Sequence, residues 1–386
     1  MPPRRPLLML SNGHGEDAIA AALIPHLRAE GATVEALPIV GEGHAYRALD
    51  VPMIGPTQAM PSGGFVYGRP VALAGDLAGG LIQLTRRQIA AVRETRGRYA
   101  GVVAVGDIVV LGFARLAKAP IAIVGCAKSD HYLHGKPGSY LWHERLLMRH
   151  PRCAGVYPRD RVTTDNLRAI GIDATYLGNP MMDGLAPTGR PLPDPSAATT
   201  ILILPGSRQE AHANVAPLRA AARAMRMSVP ASSGPVRFLA AIAPGLALAP
   251  FEGDGFTLGV NATLTHPDGT TIHLLEGAFA DAAHAADLAL AMAGTATEQV
   301  VGLGKPVVAV PGRGPQFTHA FAEAQTRLLG ESVTLVTGGP DRIAEAAWAI
   351  LADPDRLHRI AENGRQRMGE SGASSRLARH IMSHAW

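Results

Sequence analysis

Short runs of aliphatic and β-branched residues alternate with helix-length amphipathic stretches along almost the whole chain. The runs at 7–10, 34–39, 102–105, 121–124 and 155–157 predict strands, with 175–177 closing that half. Helical spacing of apolar positions fills the intervals, as at 17–30, 81–94 and 159–170. Such alternation predicts βαβ units, a parallel sheet covered by helices on both faces. Four prolines (Pro187, Pro191, Pro193 and Pro195) then fall within ten residues. Proline fixes φ and removes a donor, so 186–197 reads as a linker. The pattern restarts beyond it, with strands expected at 200–204, 236–242, 271–275, 288–292, 306–310 and 333–336. The expectation is an α/β chain of two Rossmann-like, doubly wound domains, 1–185 and 198–353, followed by helices over 354–386.

Composition narrows the class. A length of 386 residues exceeds one ordinary core, and 47% hydrophobic against 18% charged residues argues for a folded chain. Cys126 and Cys153 stand far apart without CxxC spacing, which fits a reducing compartment rather than a disulfide framework or zinc ribbon. The apolar stretch at 7–10 is too short for a secretory leader, and no run is long enough to span a bilayer. A cytoplasmic protein is expected. Charge is uneven: residues 1–185 hold 20 Lys and Arg against 15 Asp and Glu, while the remainder holds 16 against 17. Arg86, Arg87, Arg93, Arg96 and Arg98 contribute much of the excess. An anionic partner such as lipid headgroups or nucleic acid explains it, and so does a solvated helix face. Leu81, Ile82, Leu84, Ile89 and Val92 lie close to these arginines. Peripheral membrane contact through 81–98 is one expectation, and an interior-facing helix is the other.

Three loops carry candidate chemistry. The first strand runs into Ser11-Asn12-Gly13-His14-Gly15-Glu16-Asp17 and opens a helix. Glycines at 13 and 15 permit a tight turn and close approach of a ligand, and free N–H groups at a helix start attract anions. The spacing is not GxGxxG, and no acidic residue ends the second strand, which disfavours a dinucleotide. In the second half, Pro205-Gly206-Ser207-Arg208 follows a strand and precedes a helix, and a guanidinium fork suits a diphosphate. Gly294-Thr295-Ala296-Thr297-Glu298-Gln299 repeats the device after the strand at 288–292. Asp107 follows the strand at 102–105. A carboxylate there faces the crevice where α/β ligands bind, and it also suits a helix N-cap. His14 is the alternative base, because imidazole titrates near neutral pH. His131, His134, His143 and His150 cluster in sequence, but no tetrahedral set appears at a recognised spacing, so no metal is expected.

Leu204–Arg208, the run Gly178-Asn179-Pro180-Met181-Met182-Asp183, and Gly294–Thr297 resemble lipid A disaccharide synthase and its related proteins. Residues 139–145 resemble that family's Trp-containing segment, and Gly13-His14-Gly15 resembles the glycine loop of lipid-directed GT-B glycosyltransferases. The resemblance implies the GT-B architecture: two Rossmann-like domains facing an interdomain cleft, with the last helices crossing back to the first domain. It implies a UDP-sugar donor held by Gly206, Ser207 and Arg208, with Gly294, Thr295, Ala296 and Thr297 in support. Gln299 stands where the family has a ribose-binding glutamate, and Glu298 lies one residue earlier. Gln316 falls in the region that contacts donor-sugar hydroxyls. Asn12, Gly13, Gly15 and Asn179 belong to the loops lining the cleft. Asp107 lies where the family has an acidic residue, and is the candidate base with His14 as competitor. The activity implied is inverting, metal-independent and cofactor-free transfer of a hexose or amino-hexose to a lipid-like acceptor, with no nucleic acid partner. A UDP-sugar 2-epimerase of the same fold and a non-catalytic nucleotide-sugar sensor are the alternatives.

Overall fold

A computed structural model describes residues 5–58, 80–312 and 317–384. The chain divides into two compact units, residues 1–184 with 370–386, and residues 185–369.

In unit 1 the strands β1 (Leu7–Ser11), β2 (Val34–Pro38), β3 (Gly101–Val105), β4 (Ile121–Val124) and β5 (Cys153–Tyr157) form a parallel sheet in the order β2-β1-β3-β4-β5. Alternate side chains leave a strand on opposite faces. Leu8, Leu10, Val102, Ala104, Ile121 and Ile123 therefore meet one apolar layer, together with Val110 and Phe113. Leu7, Met9, Val103, Val105, Ala122 and Val124 meet the other, with Leu23, Ile24 and Leu27. A strand buried on both faces must be apolar throughout, which is why these runs read as continuous rather than alternating.

The covering helices are α1 (His14–Ala29), α2 (His44–Arg47), α3 (Leu81–Glu94), α4 (Ile108–Leu116), α5 (Trp142–Met148) and α6 (Arg161–Ala169). Helix α3 coincides with its expected span. Leu84 and Val92 are buried, and Gln88 donates to the carbonyls of Ile39 and Pro56 at 3.1 Å each. Ile82, on the outer side of the helix, is 56% exposed. Residues 175–177 are not a strand: a single bridge joins Ala174 to Val156 before the chain turns at Gly178, whose φ is +104°.

Unit 2 has an eight-stranded sheet in the order β13-β12-β11-β6-β7-β10-β9-β8. Its strands are β6 (Thr199–Leu204), β7 (Val236–Ile242), β8 (Thr257–Gly259), β9 (Thr263–Thr265), β10 (Thr271–Glu276), β11 (Leu288–Ala291), β12 (Val307–Ala309) and β13 (Val333–Leu335). β8 and β9 are antiparallel additions absent from the sequence expectation. Helices α7 (Ala211–Met227), α8 (Phe279–Ala285), α9 (Thr295–Gly302), α10 (His319–Leu329), α11 (Pro340–Leu351) and α12 (Pro354–Met368) complete it.

The proline-rich stretch belongs to unit 2 and is strapped down. Asp281 of α8 accepts from the Thr188 amide and hydroxyl at 2.8 Å and from the Gly189 amide at 2.9 Å. Helix α12 also stays in unit 2, and only α13 (Ala373–Ser383) returns to unit 1. There Leu377, Ala378 and Ile381 join the layer built on α1. Among the described residues, no helix is long and apolar enough to cross a membrane.

Candidate functional site

Leaving aside the antiparallel β8 and β9, both sheets reverse their strand order once. In unit 1 the chain runs from β1 outward to β2, then returns beside β1 with β3. In unit 2 it leaves β6 through β7 to β10, then returns beside β6 with β11. Loops at the carboxyl ends of the strands flanking such a reversal diverge and leave a crevice. The loops after β1 and β3 carry Asn12–Gly15 and Asp107. Those after β6 and β11 carry Gly206–Arg208 and Gly294–Gln299.

In unit 1 one hydrogen bond spans the reversal. Asn12 Nδ2 donates to Asp107 Oδ1 at 2.7 Å. Asp107 is also the N-cap of α4, since the same Oδ1 accepts from Val109 N at 3.0 Å. The pairing depends on Gly106, because a Cβ there would fall 2.1 Å from Asn12 Oδ1. His14 opens α1, is exposed, and packs its ring against the turn at Gly41. Gly13 is the N-cap residue, and a Cβ on it would strike Glu16 Oε2 at 2.5 Å. Gly15 is exposed, with open space where a side chain would stand.

Two acids in this motif carry more than the sequence assigned to them. Asp17 is buried and accepts from Ser11 Oγ at 2.5 Å, while Ser11 also pairs with the buried Tyr46 hydroxyl. Burial, and then the Glu16 charge, push the Asp17 carboxyl up to about 6 against the pull of the Ser11 bond. Glu16 is raised too, by burial first and then by the charge of Asp107, and it accepts from Cys126 Sγ at 3.7 Å. The carboxyl edge of the sheet thus gathers two interacting carboxylates, Glu16 and Asp107.

Asn179 lies elsewhere in unit 1. It is buried and caps the turn at Pro180–Met182 by accepting from Met181 N at 3.1 Å. Asp183 then accepts from the amides of Gly372 at 2.5 Å and Ser374 at 2.6 Å, so residues 178–183 seat the N-terminus of α13.

In unit 2 three loops converge. Gly206 has φ +110°, and a Cβ on it would lie 3.4 Å from the Met292 carbonyl. Gly312, after β12, would put a Cβ 2.9 Å from both Asn214 Oδ1 and Met292 Cε. Asn214 of α7 donates to the Pro205 carbonyl at 3.0 Å and so stands between the loops. Ser207 is exposed and Arg208 half-buried, just ahead of α7. Gly294 is the N-cap residue of α9, followed by exposed Thr295 and half-buried Ala296. Thr297 is buried and donates to the Ala293 carbonyl at 2.7 Å, so its hydroxyl shapes the loop from within. Gln325 of α10 does the same, donating to the Gly294 carbonyl at 3.1 Å. Glu298 is buried and Gln299 half-buried in the first turns of α9. Gln316 lies outside the described residues. Sequence reading missed Asn214 and Gln325, since nothing in a helical amide signals which loop it ties. Among the described residues, no three His, Cys, Asp or Glu side chains are grouped as a metal site.

No family model matches the chain. Over 238 residues it is 29% identical to lipid-A-disaccharide synthase of Syntrophus aciditrophicus, covering 55% of this chain and 57% of that one. The match therefore spans little more than half the length of that relative. Solved structures align over nearly everything. The calicheamicin glycosyltransferase CalG4 has a TM-score of 0.61 at 16% identity, covering 98% of both chains. The putative UDP-N-acetylglucosamine 2-epimerase of Listeria monocytogenes has 0.60 at 16%, covering 99% of this chain and 96% of that one. MurG of Acinetobacter baumannii has 0.58 at 17%, covering 97% and 99%. The chain has the GT-B fold. Within that fold the reversal loops of unit 1 present carboxylates, and those of unit 2 present glycines and backbone amides.

Proposed function

We propose that this protein transfers a sugar from a UDP-sugar to a lipid-like acceptor, by inversion and without a metal. The observation that carries the reading is the pairing of reversal points, one lined by carboxylates and one by glycine loops ahead of helix N-termini. The donor diphosphate is assigned to unit 2, at Gly206, Ser207, Arg208 and the start of α9. Amides and a guanidinium aimed at a diphosphate stabilise the charge that grows as UDP departs. The base is assigned to Asp107. The acceptor oxygen forms its bond to the anomeric carbon as the bond to the UDP oxygen breaks, UDP keeps that electron pair, and the acceptor proton passes to the carboxylate. Asn12 fixes the carboxylate's orientation through its 2.7 Å hydrogen bond to Oδ1. The lipid-like acceptor rests on the partial identity to lipid-A-disaccharide synthase.

The 2-epimerase reading has support of its own, because structures of that activity align as fully as the transferases do. Incubating the protein with UDP-hexoses, with and without total lipid extract, and weighing the products by mass spectrometry tests both. Glycolipid and UDP that appear only with lipid are expected. Without any acceptor, a UDP-sugar of unchanged mass but inverted at C2, or a free sugar inverted at C2 released with UDP as water is consumed, either one identified by proton NMR, would establish the epimerase. UDP-sugar unaltered in mass and configuration in every tube would remove catalysis altogether.

A further inference from the structure

Beyond β4 the chain makes an excursion before α5, and this segment is held firmly from within. Asp130 Oδ1 accepts from the Gly138 and Ser139 amides at 3.2 and 2.8 Å. Its other oxygen accepts from Asn166 Nδ2 at 2.8 Å. Tyr140 and Met148 are buried, and the buried Glu144 pairs with Lys128 at 2.5 Å. A segment so tied has a fixed outer face, and that face is apolar. Trp142 is 75% exposed, Leu146 61%, Leu141 48% and Leu133 41%. Trp142 and Leu146 stand four residues apart on one side of α5, while Leu133 packs over Gly138 close to the helix start. Exposed aliphatic side chains scattered singly need no explanation, but four within fourteen residues form a patch.

Charge identifies what covers it. The acids between residues 127 and 152 are Asp130 and Glu144, and both are buried. Lys136, Arg149 and Arg152 of the same stretch are exposed, Arg149 while donating to the Ile170 carbonyl at 2.6 Å. A second copy docked through the same patch would bring these cations against their own images, because a two-fold contact is self-complementary. An anionic bilayer meets both halves of the pattern. Lipid tails take up the aliphatic groups, indole prefers the headgroup level, and the cations meet phosphates.

We propose that Leu133, Leu141, Trp142 and Leu146, with the exposed Lys136, Arg149 and Arg152 of the same stretch, dock unit 1 on an anionic lipid surface. The patch follows β4 at the same carboxyl edge of the sheet that carries Asn12 and Asp107. The docking holds whether the reaction is transfer or epimerisation, so it can fail independently of either. The test is flotation of the full chain, without sugar nucleotide, on phosphatidylcholine vesicles with and without phosphatidylglycerol. Binding should be stronger to the anionic vesicles and weaken with salt. Trp142→Ser/Leu146→Ser should lower it about tenfold or more through loss of two apolar anchors. Lys136→Glu/Arg152→Glu should abolish the preference for phosphatidylglycerol. All these positions are exposed, and unchanged melting of the variants checks the fold. As a second readout, brominated lipid should quench the wild type more than Trp142→Phe. Equal flotation of wild type and the apolar double variant overturns the proposal, as does a wild type that ignores anionic vesicles. A dimer in sedimentation that the double variant abolishes, with vesicles ignored, would reassign the patch to a contact between copies.

Discussion

At the scale of single residues, the Asp107 carboxylate caps α4 and is the proposed base. Both its bonds, from Asn12 and from Val109, end on Oδ1, and among the described residues Oδ2 accepts none. Capping and proton uptake are therefore compatible. Asp107→Asn preserves shape and removes the base, so turnover should fall about 10²–10⁴-fold while UDP affinity, measured by calorimetry, stays level. Near-normal turnover in that variant, together with its loss in His14→Ala, would transfer the role to His14. Asp17 gives a second prediction. Its folded value of about 6 lies above the ordinary 3.8. Below about pH 4 it is protonated folded or unfolded, and its stabilising term is whole. As the pH rises through 6 that term is lost, on the order of 2–3 kcal/mol. Asp17→Asn keeps an acceptor for Ser11 and never ionises, so its stability advantage in urea unfolding should widen between about pH 4 and 7. A constant gap would refute it. The motif was legible but its two acids were not. Each helical residue turns about 100°, so a start at His14 rather than residue 17 decides which carboxylate faces inward.

Among the elements, helix α9, whose start is the proposed donor site, depends on a neighbour. Helix α12 crosses it at Gly364, where a Cβ would fall 2.0 Å from the Val301 carbonyl. Gly364→Ala should destabilise by about 1–3 kcal/mol, the usual penalty for overpacking. It should also displace the loop at Gly294 and weaken UDP binding. Thermal melts and UDP calorimetry read the two effects, and an alanine variant unchanged in both would show that the crossing tolerates a methyl. Most elements were legible because buried parallel strands and amphipathic helices carry unambiguous periods. The span of α3 and that of β7 were read to the residue. β8 and β9 were not, since each has three residues and only Leu264 among them is buried. The strand expected at 175–177 failed for the opposite reason. Its composition suited a strand, but the chain leaves the sheet edge after one bridge.

For the molecule as a whole, a period-based reading shows two halves but cannot show that α13 returns to the first. Amphipathicity marks a helix as packed without saying against what. Removing residues 370–386 strips Leu377 and Ile381 from the layer over α1, at a cost of about 3–6 kcal/mol. That is much of the stability of an ordinary domain. Unit 1 should lose its cooperative melting transition while unit 2 keeps its own. Two unaltered transitions in calorimetry of the shortened chain would contradict this.

The return of α13 also sets a timetable. On the ribosome the five strands of unit 1 emerge ahead of unit 2, yet the flank of α1 stays bare until α13 arrives behind it. All of unit 2 is translated in between, an interval of roughly ten to forty seconds at 5–20 residues per second. Unit 2 is continuous in sequence and can close as soon as it is released. The half that is begun first is completed last. During that interval a nascent chain carries an apolar flank that invites a chaperone, and a synonymous change in translation speed within unit 2 would alter how long it stays open.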